Sequence, residues 1–264
     1  MFSDKQVLHD EDKFVSNIEI SNIEQITILR PASDADEIKI HKEKNQWFIS
    51  SPVKTRASTD RVSAILGLLR SKSFARVDTA KSILELYQLQ PANITLILDQ
   101  YKFEFGATDP LDNRRYLLFN NTVHLINDSL YPQLLQSPTF FVSSRLLPEG
   151  GVIETIRFKD QAVSQASQHQ ALSTSGEVID KKALEQLAQA WQGIQARQVR
   201  NYRPVEHTRQ VIVGLRSGRT LQFEVVSLSQ YLVLARSDLK LEYYLDANSA
   251  KILFLTDEIS KEKI

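Results

Sequence analysis

The chain repeats one pattern of strands and a helix, and this repeat limits the possible folds more than any other feature of the sequence. The first segment begins at Ile23 and the second at Ile153. Their opening apolar residues have the same spacing, in the order Ile23, Ile26, Ile28 and Ile153, Ile156, Phe158. We therefore expect two related halves, each with its own apolar core.

Each half contains one amphipathic helix of about three to four turns, because its apolar residues recur at helical spacing. These residues are Val62, Ile65, Leu66 and Leu69 in the first half and Leu184, Leu187, Ala188 and Trp191 in the second. Ser58 or Thr59 is the predicted N-cap of the first helix and Asp180 that of the second. Basic residues end both helices, and this pattern aligns residues 75–77 with residues 197–199.

Alternating apolar and polar residues follow each helix and predict two β-hairpins in each half. Turn-forming residues mark the four predicted turns, at Asp99-Gln100, Asn120-Asn121, Ser217-Gly218 and Ser237-Asp238. The first half also contains an inserted segment, residues 79–91, which predicts a short helix ended by Pro91.

The predicted fold class is α+β, because antiparallel hairpins alternate with one main helix rather than with a helix after every strand. We expect two tandem related domains, each an antiparallel sheet of hairpins with one amphipathic helix packed on it. The first domain spans residues 1–148, with an N-terminal extension, and the second spans residues 149–264. Pro148, Gly150 and Gly151 mark the boundary, since they favour turns.

Composition excludes several classes of protein. The 264 residues contain 32 Lys plus Arg and 32 Asp plus Glu, so no overall charge attracts nucleic acid. There is no cysteine, which excludes disulfides, zinc–thiolate sites and a cysteine nucleophile. No glycine-rich phosphate-binding motif is present, and we predict no cofactor.

Several motifs of the first half resemble the family catalogued as domain of unknown function 4340. They are NQWFISSP, TRASTDRV, LYQLQP, FEFGATDP and LFNNTVHLINDSLYPQLL, within residues 20–145. The residues that match the family pattern are Trp47, Pro52, Tyr87, Leu89, Pro91 and Gly106. The second half resembles the family less.

The resemblance implies a bacterial envelope protein with a periplasmic body and one N-terminal membrane helix. It also implies a partner among transporter-like membrane components, and it supplies no catalytic residues. We expect the membrane helix to be encoded upstream of Met1. If the native start is Met1, the expected location is instead the cytoplasm.

Ser51 and Lys54 match the Ser-x-x-Lys pattern of penicillin-binding proteins and β-lactamases. That chemistry needs the two side chains one turn apart on a helix. Pro52 favours extended backbone at Ser51, and helical periodicity begins only near Val62. We therefore interpret this stretch as a junction between a strand and a helix.

No metal site is predicted. The histidines His9, His41, His124, His169 and His207 lack the spacing of zinc ligands, and His124 is expected to face solvent from a strand. The acidic segments at residues 33–37 and 107–113 lack the spacing of a calcium loop, and we interpret both as turns.

Six basic residues form a predicted rim for an anionic partner: Lys54, Arg56, Arg61, Arg197, Arg200 and Arg203. The function expected from these observations is non-catalytic binding of a partner protein at a sheet edge or groove. Two alternatives stay open. One is an envelope hydrolase or other enzyme with an unrecognised active site, and the other is a nucleic-acid-binding protein that uses the stretch from Arg197 to Arg209.

Overall fold

The computed structural model describes residues 14–31, 37–77, 81–158, 161–164, 171–172, 178–179, 181–205 and 209–254. The chain divides into two compact units, one ending at Ser143 and the other beginning at Ser144. Antiparallel sheets and helices make up both, so the fold is α+β. Within the described ranges, no helix has the length and apolar character needed to cross a bilayer.

The first unit is built on a nine-stranded antiparallel sheet with the strand order β4-β3-β2-β1-β6-β7-β8-β9-β5. Its strands are β1 (Gln25–Leu29), β2 (Ile38–Glu43), β3 (Gln46–Ser51), β4 (Thr55–Arg56), β5 (Ala75–Val77), β6 (Ile94–Leu98), β7 (Tyr101–Thr108), β8 (Arg115–Phe119) and β9 (Thr122–Ile126). The predicted turns at Asp99-Gln100 and Asn120-Asn121 are confirmed, because each separates two paired strands.

The described part of the first unit also contains three α-helices and three 3-10 helices. They are Ile20–Asn22 (3-10), α1 (Thr59–Leu66), Gly67–Arg70 (3-10), α2 (Lys81–Leu86), α3 (Tyr131–Leu134) and Pro138–Phe141 (3-10). The predicted apolar face of the main helix is confirmed, since Val62, Ile65, Leu66 and Leu69 are all buried. The predicted length is wrong, because the α-helix ends at Leu66 and the chain tightens into the 3-10 turn that contains Leu69.

Apolar residues of neighbouring strands meet in register to form the core of this sheet. Ile26 lies opposite both Ile40 and Leu98, and all three are at most 1% exposed. Further along, Phe105 pairs with Leu117, which pairs with His124 on β9. Since side chains alternate between the two faces of a strand, these residues share one face of the sheet.

The opposite face carries a second apolar cluster beneath the inserted segment. Its buried members are Ala75, Leu84, Leu89, Tyr116, Val123 and Leu125. The ring of Tyr87 stacks on that of Tyr116 at a centroid distance of 3.8 Å. The short helix predicted in this segment is confirmed as α2, but it ends at Leu86 and not at Pro91, because the backbone at Gln88 has a positive φ.

A buried arginine ties this end of the sheet to the chain that follows it. Arg115 is 7% exposed, and its guanidinium donates two hydrogen bonds to the Asp128 carboxylate, at 2.5 and 2.7 Å. It also donates to the Gly106 carbonyl at 2.5 Å and to Thr108 Oγ1 at 2.9 Å. The ring of Tyr131 lies 3.4 Å from the guanidinium carbon. A buried charge of this kind stabilises the fold only while all these partners are present.

The second unit contains a seven-stranded antiparallel sheet with the order β11-β10-β15-β16-β17-β18-β14, and a separate hairpin of β12 and β13. Its elements are β10 (Ile153–Phe158), β11 (Gln161–Ser164), β12 (Ala171–Leu172), β13 (Val178–Ile179), α4 (Lys181–Gly193), β14 (Gln198–Asn201), β15 (Arg209–Leu215), β16 (Thr220–Ser227), β17 (Tyr231–Arg236), β18 (Leu241–Asp246) and α5 (Ser249–Phe254). The predicted hairpins around Ser217-Gly218 and Ser237-Asp238 are confirmed.

Helix α4 buries an apolar face, as its periodicity predicts. Leu187 and Trp191 are at most 1% exposed, and Trp191 Nε1 donates to the Leu253 carbonyl of α5 at 3.0 Å. The ring of Phe223 on β16 lies 5.4 Å from that of Trp191. The predicted cap Asp180 lies outside the described residues.

Seven strands of each sheet follow the same order. The order β2-β1-β6-β7-β8-β9-β5 of the first unit corresponds to β11-β10-β15-β16-β17-β18-β14 of the second. In both units the main helix directly precedes the strand that pairs at the far edge, β5 or β14. Between β14, which ends at Asn201, and β15, which begins at Arg209, the described residues 202–205 form no helix that would correspond to α2.

The backbone hydrogen bonds and residue pairs of the two edge strands align β5 with β14 residue by residue. The N–H of Phe74 donates to the Leu125 carbonyl, and the N–H of Arg197 donates to the Tyr244 carbonyl. The partners of Leu125 and Tyr244 across each ladder are Ala75 and Gln198. Residues 75–77 therefore align with residues 198–200. The alignment predicted from the basic residues is wrong by one position, because a similar charge does not fix the face on which a side chain lies.

Replacing Gly106 by alanine tests the close approach of the inserted segment to the sheet. A Cβ at this position would lie 2.2 Å from the Tyr87 carbonyl oxygen and 2.9 Å from Leu89 Cγ. We expect Gly106→Ala to lower the free energy of unfolding by about 1–3 kcal/mol, because backbone and core side chains must move. Urea denaturation followed by circular dichroism measures the change.

Gly67→Ala is the matched control, since a Cβ added at this residue would meet no neighbouring atom within 4 Å and its φ of −58° is helical. We expect this variant to be stabilised by about 0.4–1 kcal/mol. Equal denaturation midpoints for the two variants would contradict the packing described around Gly106.

Candidate functional site

The Ser-x-x-Lys match does not form a catalytic pair. Ser51 is the last residue of β3, Lys54 lies exposed before β4, and α1 begins only at Thr59. The two side chains therefore do not lie one turn apart on a helix, as that chemistry requires. The predicted passage from strand to helix is confirmed, with Ser58 as the N-cap: its Oγ accepts the N–H of Arg61 at 3.5 Å.

Three predicted rim residues lie in the first unit, close to the strand-to-helix junction. Lys54 and Arg61 are exposed, and Arg56 is half-buried on β4. The Arg61 guanidinium carbon lies 3.9 Å from the centre of the Phe140 ring, which holds its charge against an aromatic face. Lys54 therefore retains the greatest freedom to contact a partner.

The other three rim residues lie along edge strand β14 and its continuation in the second unit. Arg197 pairs with Asp246 at 2.5 Å, with both side chains more than half exposed. Arg200 donates to Gln198 Oε1 at 2.7 Å and lies 4.5 Å from the Tyr244 ring centre. Arg203 is exposed, and its backbone N–H donates to the buried Glu242 carboxylate at 2.7 Å. These three cations thus follow one sheet edge.

Strand β14 presents backbone groups at that edge. It is the last strand in the sheet order, and the Tyr202 N–H donates inward to the Lys240 carbonyl at 2.9 Å. Because backbone groups alternate in direction along an antiparallel strand, Val199 and Asn201 direct theirs outward. In the part of the chain that the structure describes, no backbone group pairs with them on that side.

The prediction that His124 faces solvent is wrong, since it is only 3% exposed. Its neighbours Val123 and Leu125 belong to the cluster beneath α2, so the opposite face of β9 is covered as well. Alternation along the strand therefore places His124 on the core side with Phe105 and Leu117.

His124 is held by a buried serine. Ser73 is 1% exposed, and its Oγ lies 2.9 Å from His124 Nδ1 and 3.3 Å from the Ala75 carbonyl oxygen. Both contacts are hydrogen bonds at once only if Nδ1–H donates to Oγ and the hydroxyl proton goes to Ala75. This arrangement leaves Nε2 without a proton, as a hydrogen-bond acceptor.

The electrostatic surroundings favour the neutral form of His124. Burial, and then the positive charge of Arg76, lowers its pKa to about 4. Arg76 lies directly opposite His124 in the pairing of β5 with β9. At neutral pH the ring is therefore uncharged, and as a base it is weak.

His124 and Arg76 line an open groove of about 820 Å³ in the first unit. The groove is lined by residues 15–19, 22 and 23 and by the turns that contain Asp99 and Asn120. Its lining includes exposed carboxamides, from Asn17, Asn22, Gln100 and Asn120. Sequence reasoning did not find this groove, because its residues are distant in the chain and meet only through the strand order.

Within the described ranges, no three His, Asp or Glu side chains are grouped so that they could hold a metal ion. His41 contacts Glu43 at 2.8 Å, whereas His9, His169 and His207 lie outside the described residues. The acidic segment near Asp112 is a turn between β7 and β8, as predicted. Most of the other acidic segment, residues 33–37, also lies outside them.

Comparison with known proteins identifies no relative: no protein-family model, no curated protein and no solved structure matches the chain. The resemblance to domain of unknown function 4340 therefore stays a prediction.

The burial of His124 makes stability depend on pH in a defined window. The unfolded histidine takes up its proton near pH 6.5 and the folded one near pH 4, so between these values the unfolded state binds more protons. The contribution of His124 to the free energy of unfolding therefore has its full value above pH 6.5 and is lost as the pH falls towards 4. The expected loss is on the order of 3 kcal/mol.

The measurement is the free energy of unfolding against pH for the wild type and for His124→Asn, which retains a side-chain donor. The difference between the two curves gives the contribution of His124 to the pH dependence, separate from the contribution of the carboxyl groups. A His124 imidazole that titrates near pH 6.5 in the NMR spectrum of the folded protein would contradict the buried, neutral state.

Proposed function

We propose that the chain is a non-catalytic binding protein of the bacterial envelope, built from two copies of one α+β module. The shared order of seven strands supports the duplication. So does the matching segment that enters each unit, where Phe14 bridges Lys72 and Arg145 bridges Gln195. In both units this bridge lies just before the edge strand that follows the main helix.

The observation that carries the binding role is the basic edge of β14, where Asn201 is exposed and Val199 is 7% exposed. The outward backbone N–H and C=O groups at Asn201 can pair with an added strand, which is a common way to bind an extended peptide. Arg197, Arg200 and Arg203 line the same edge and favour acidic side chains in that peptide. The proposed partner is therefore a protein that presents an extended acidic segment.

An envelope location is proposed from the family resemblance, with a membrane helix upstream of Met1 and a transporter-like membrane component as the partner. The periplasmic face of the inner membrane is the corresponding site of action. The β14 edge would then supply the contact between the periplasmic body and that component.

The geometry of the polar residues favours binding over catalysis. Ser73 is buried beside His124 and offers no exposed nucleophile, while Ser51 and Lys54 do not share a helix. A hydrolase is the first alternative, but nothing in the groove combines an exposed nucleophile with a base that titrates near neutral pH. Nucleic-acid binding through the stretch from Arg197 to Arg209 is the second alternative, and the Asp246 partner of Arg197 weakens it.

In-cell photocrosslinking from the edge strand tests the proposal. A photoreactive amino acid replaces Asn201 in the full-length protein, and adducts are identified by mass spectrometry. We expect one discrete protein adduct. We expect Arg200→Glu combined with Arg203→Glu to reduce its yield about tenfold or more, because reversed charges repel an acidic segment.

Arg216→Glu combined with Arg219→Glu is the matched control, since both residues are exposed in the same unit at the turn between β15 and β16. This double variant should leave the yield unchanged. An adduct that contains nucleic acid, an equal loss in the two double variants, or no adduct at Asn201 would each refute binding at this edge.

A further inference from the structure

The floor of the groove in the first unit places a hydrogen-bond acceptor beside a donor. His124 Nε2 forms no hydrogen bond to any described residue, although the residue is only 3% exposed. The Arg76 guanidinium, which is a donor and never an acceptor, lies on the neighbouring strand directly opposite. A ligand group that both donates and accepts therefore fits this floor, and a hydroxyl does both with one atom.

The walls of the groove repeat this balance of donors and acceptors. Each of the carboxamides of Asn17, Asn22, Gln100 and Asn120 offers two donor hydrogens and one acceptor oxygen. Thr122 adds a hydroxyl group. Side chains of this kind match a ligand with many hydroxyl groups, since each hydroxyl can donate to one oxygen and accept from one N–H.

The acidic side chains of the groove already have partners. The Asp99 carboxylate accepts the backbone N–H groups of Glu24 and Gln25, at 3.2 and 2.8 Å. Glu19 pairs with Arg70 at 3.0 Å. The groove therefore offers a ligand mainly neutral polar groups.

We propose that this groove is a binding site for a short carbohydrate, held through its hydroxyl groups by His124 Nε2 and by the carboxamides that line the groove. The volume of about 820 Å³ accommodates a ligand of a few sugar rings. Tyr101, which is half-buried and also lines the groove, supplies apolar surface for the C–H face of a ring. This site is independent of the β14 edge, which belongs to the other unit.

The test begins with the full chain on a printed array of short oligosaccharides of hexose, N-acetylhexosamine and uronic acid. The best ligand is then added in solution while amide chemical shifts are recorded by NMR. We expect shifts at residues 15–23, 99–101 and 119–124. We also expect Gln100→Ala combined with Thr122→Val to weaken binding about tenfold or more, because it removes hydrogen bonds to the ligand.

Gln222→Ala combined with Thr220→Val makes the same chemical changes at exposed positions of the second unit and should leave affinity unchanged. Failure of every oligosaccharide to bind overturns the proposal. Amide shifts that lie outside the groove would also overturn it, and so would equal losses of affinity in the two double variants. Binding of the short peptide trialanine in the groove, when no sugar binds there, would overturn it as well. Because the edge variants Arg200→Glu and Arg203→Glu should retain sugar binding, this result is separate from the crosslinking result.

Discussion

The route of the chain from one edge of the sheet to the other is the constraint on which the first unit depends. Strand β4 lies at one edge and β5 at the opposite edge, and only α1 and its 3-10 continuation connect them. That connection must cross a face of the sheet, so its apolar side chains are buried against the strands. The four strands β6–β9 then fill the space between β1 and β5, which gives β5 its partner β9. In the second unit, α4 leads in the same way to β14 at the edge of its sheet.

A covered second face explains the buried polar groups of the first unit. Helix α2 and Leu89 cover the cluster around Tyr116 and Val123 on one face, and His124 on the opposite face is only 3% exposed. Polar side chains there must find partners inside the protein, because an unpaired buried polar group is costly. His124 finds Ser73, and Arg115 finds Asp128 and two further oxygen atoms.

Local signals in the sequence were sufficient for the hairpin turns and for the apolar face of the main helix, but not for the helix ends. Turn residues such as Asn120-Asn121 and the apolar period from Val62 to Leu69 act over a few residues, and the structure agrees with both. The prediction that His124 faces solvent was wrong. The alternation of residues along a strand indicates the side on which a side chain lies, but it does not indicate what covers that side. The sequence also did not predict the groove, because the pairing of β5 with β9 brings together residues that are far apart in the chain. Such a pairing leaves no local pattern in the sequence.

The edge-strand alignment shows how the two modules could differ in function on one scaffold. Val77 of the first unit, which packs beneath α2, aligns with Arg200 of the second, where the described residues that follow β14 form no helix. Conversely, the pair of Arg76 and His124 aligns with the pair of Val199 and Tyr243, which are both buried. The donor and the acceptor on the groove floor therefore have no counterpart at these two positions of the second unit. Under the proposed duplication, the proposed partner edge and the proposed ligand groove include exchanges at the same ladder positions, without any change in the order of the seven shared strands.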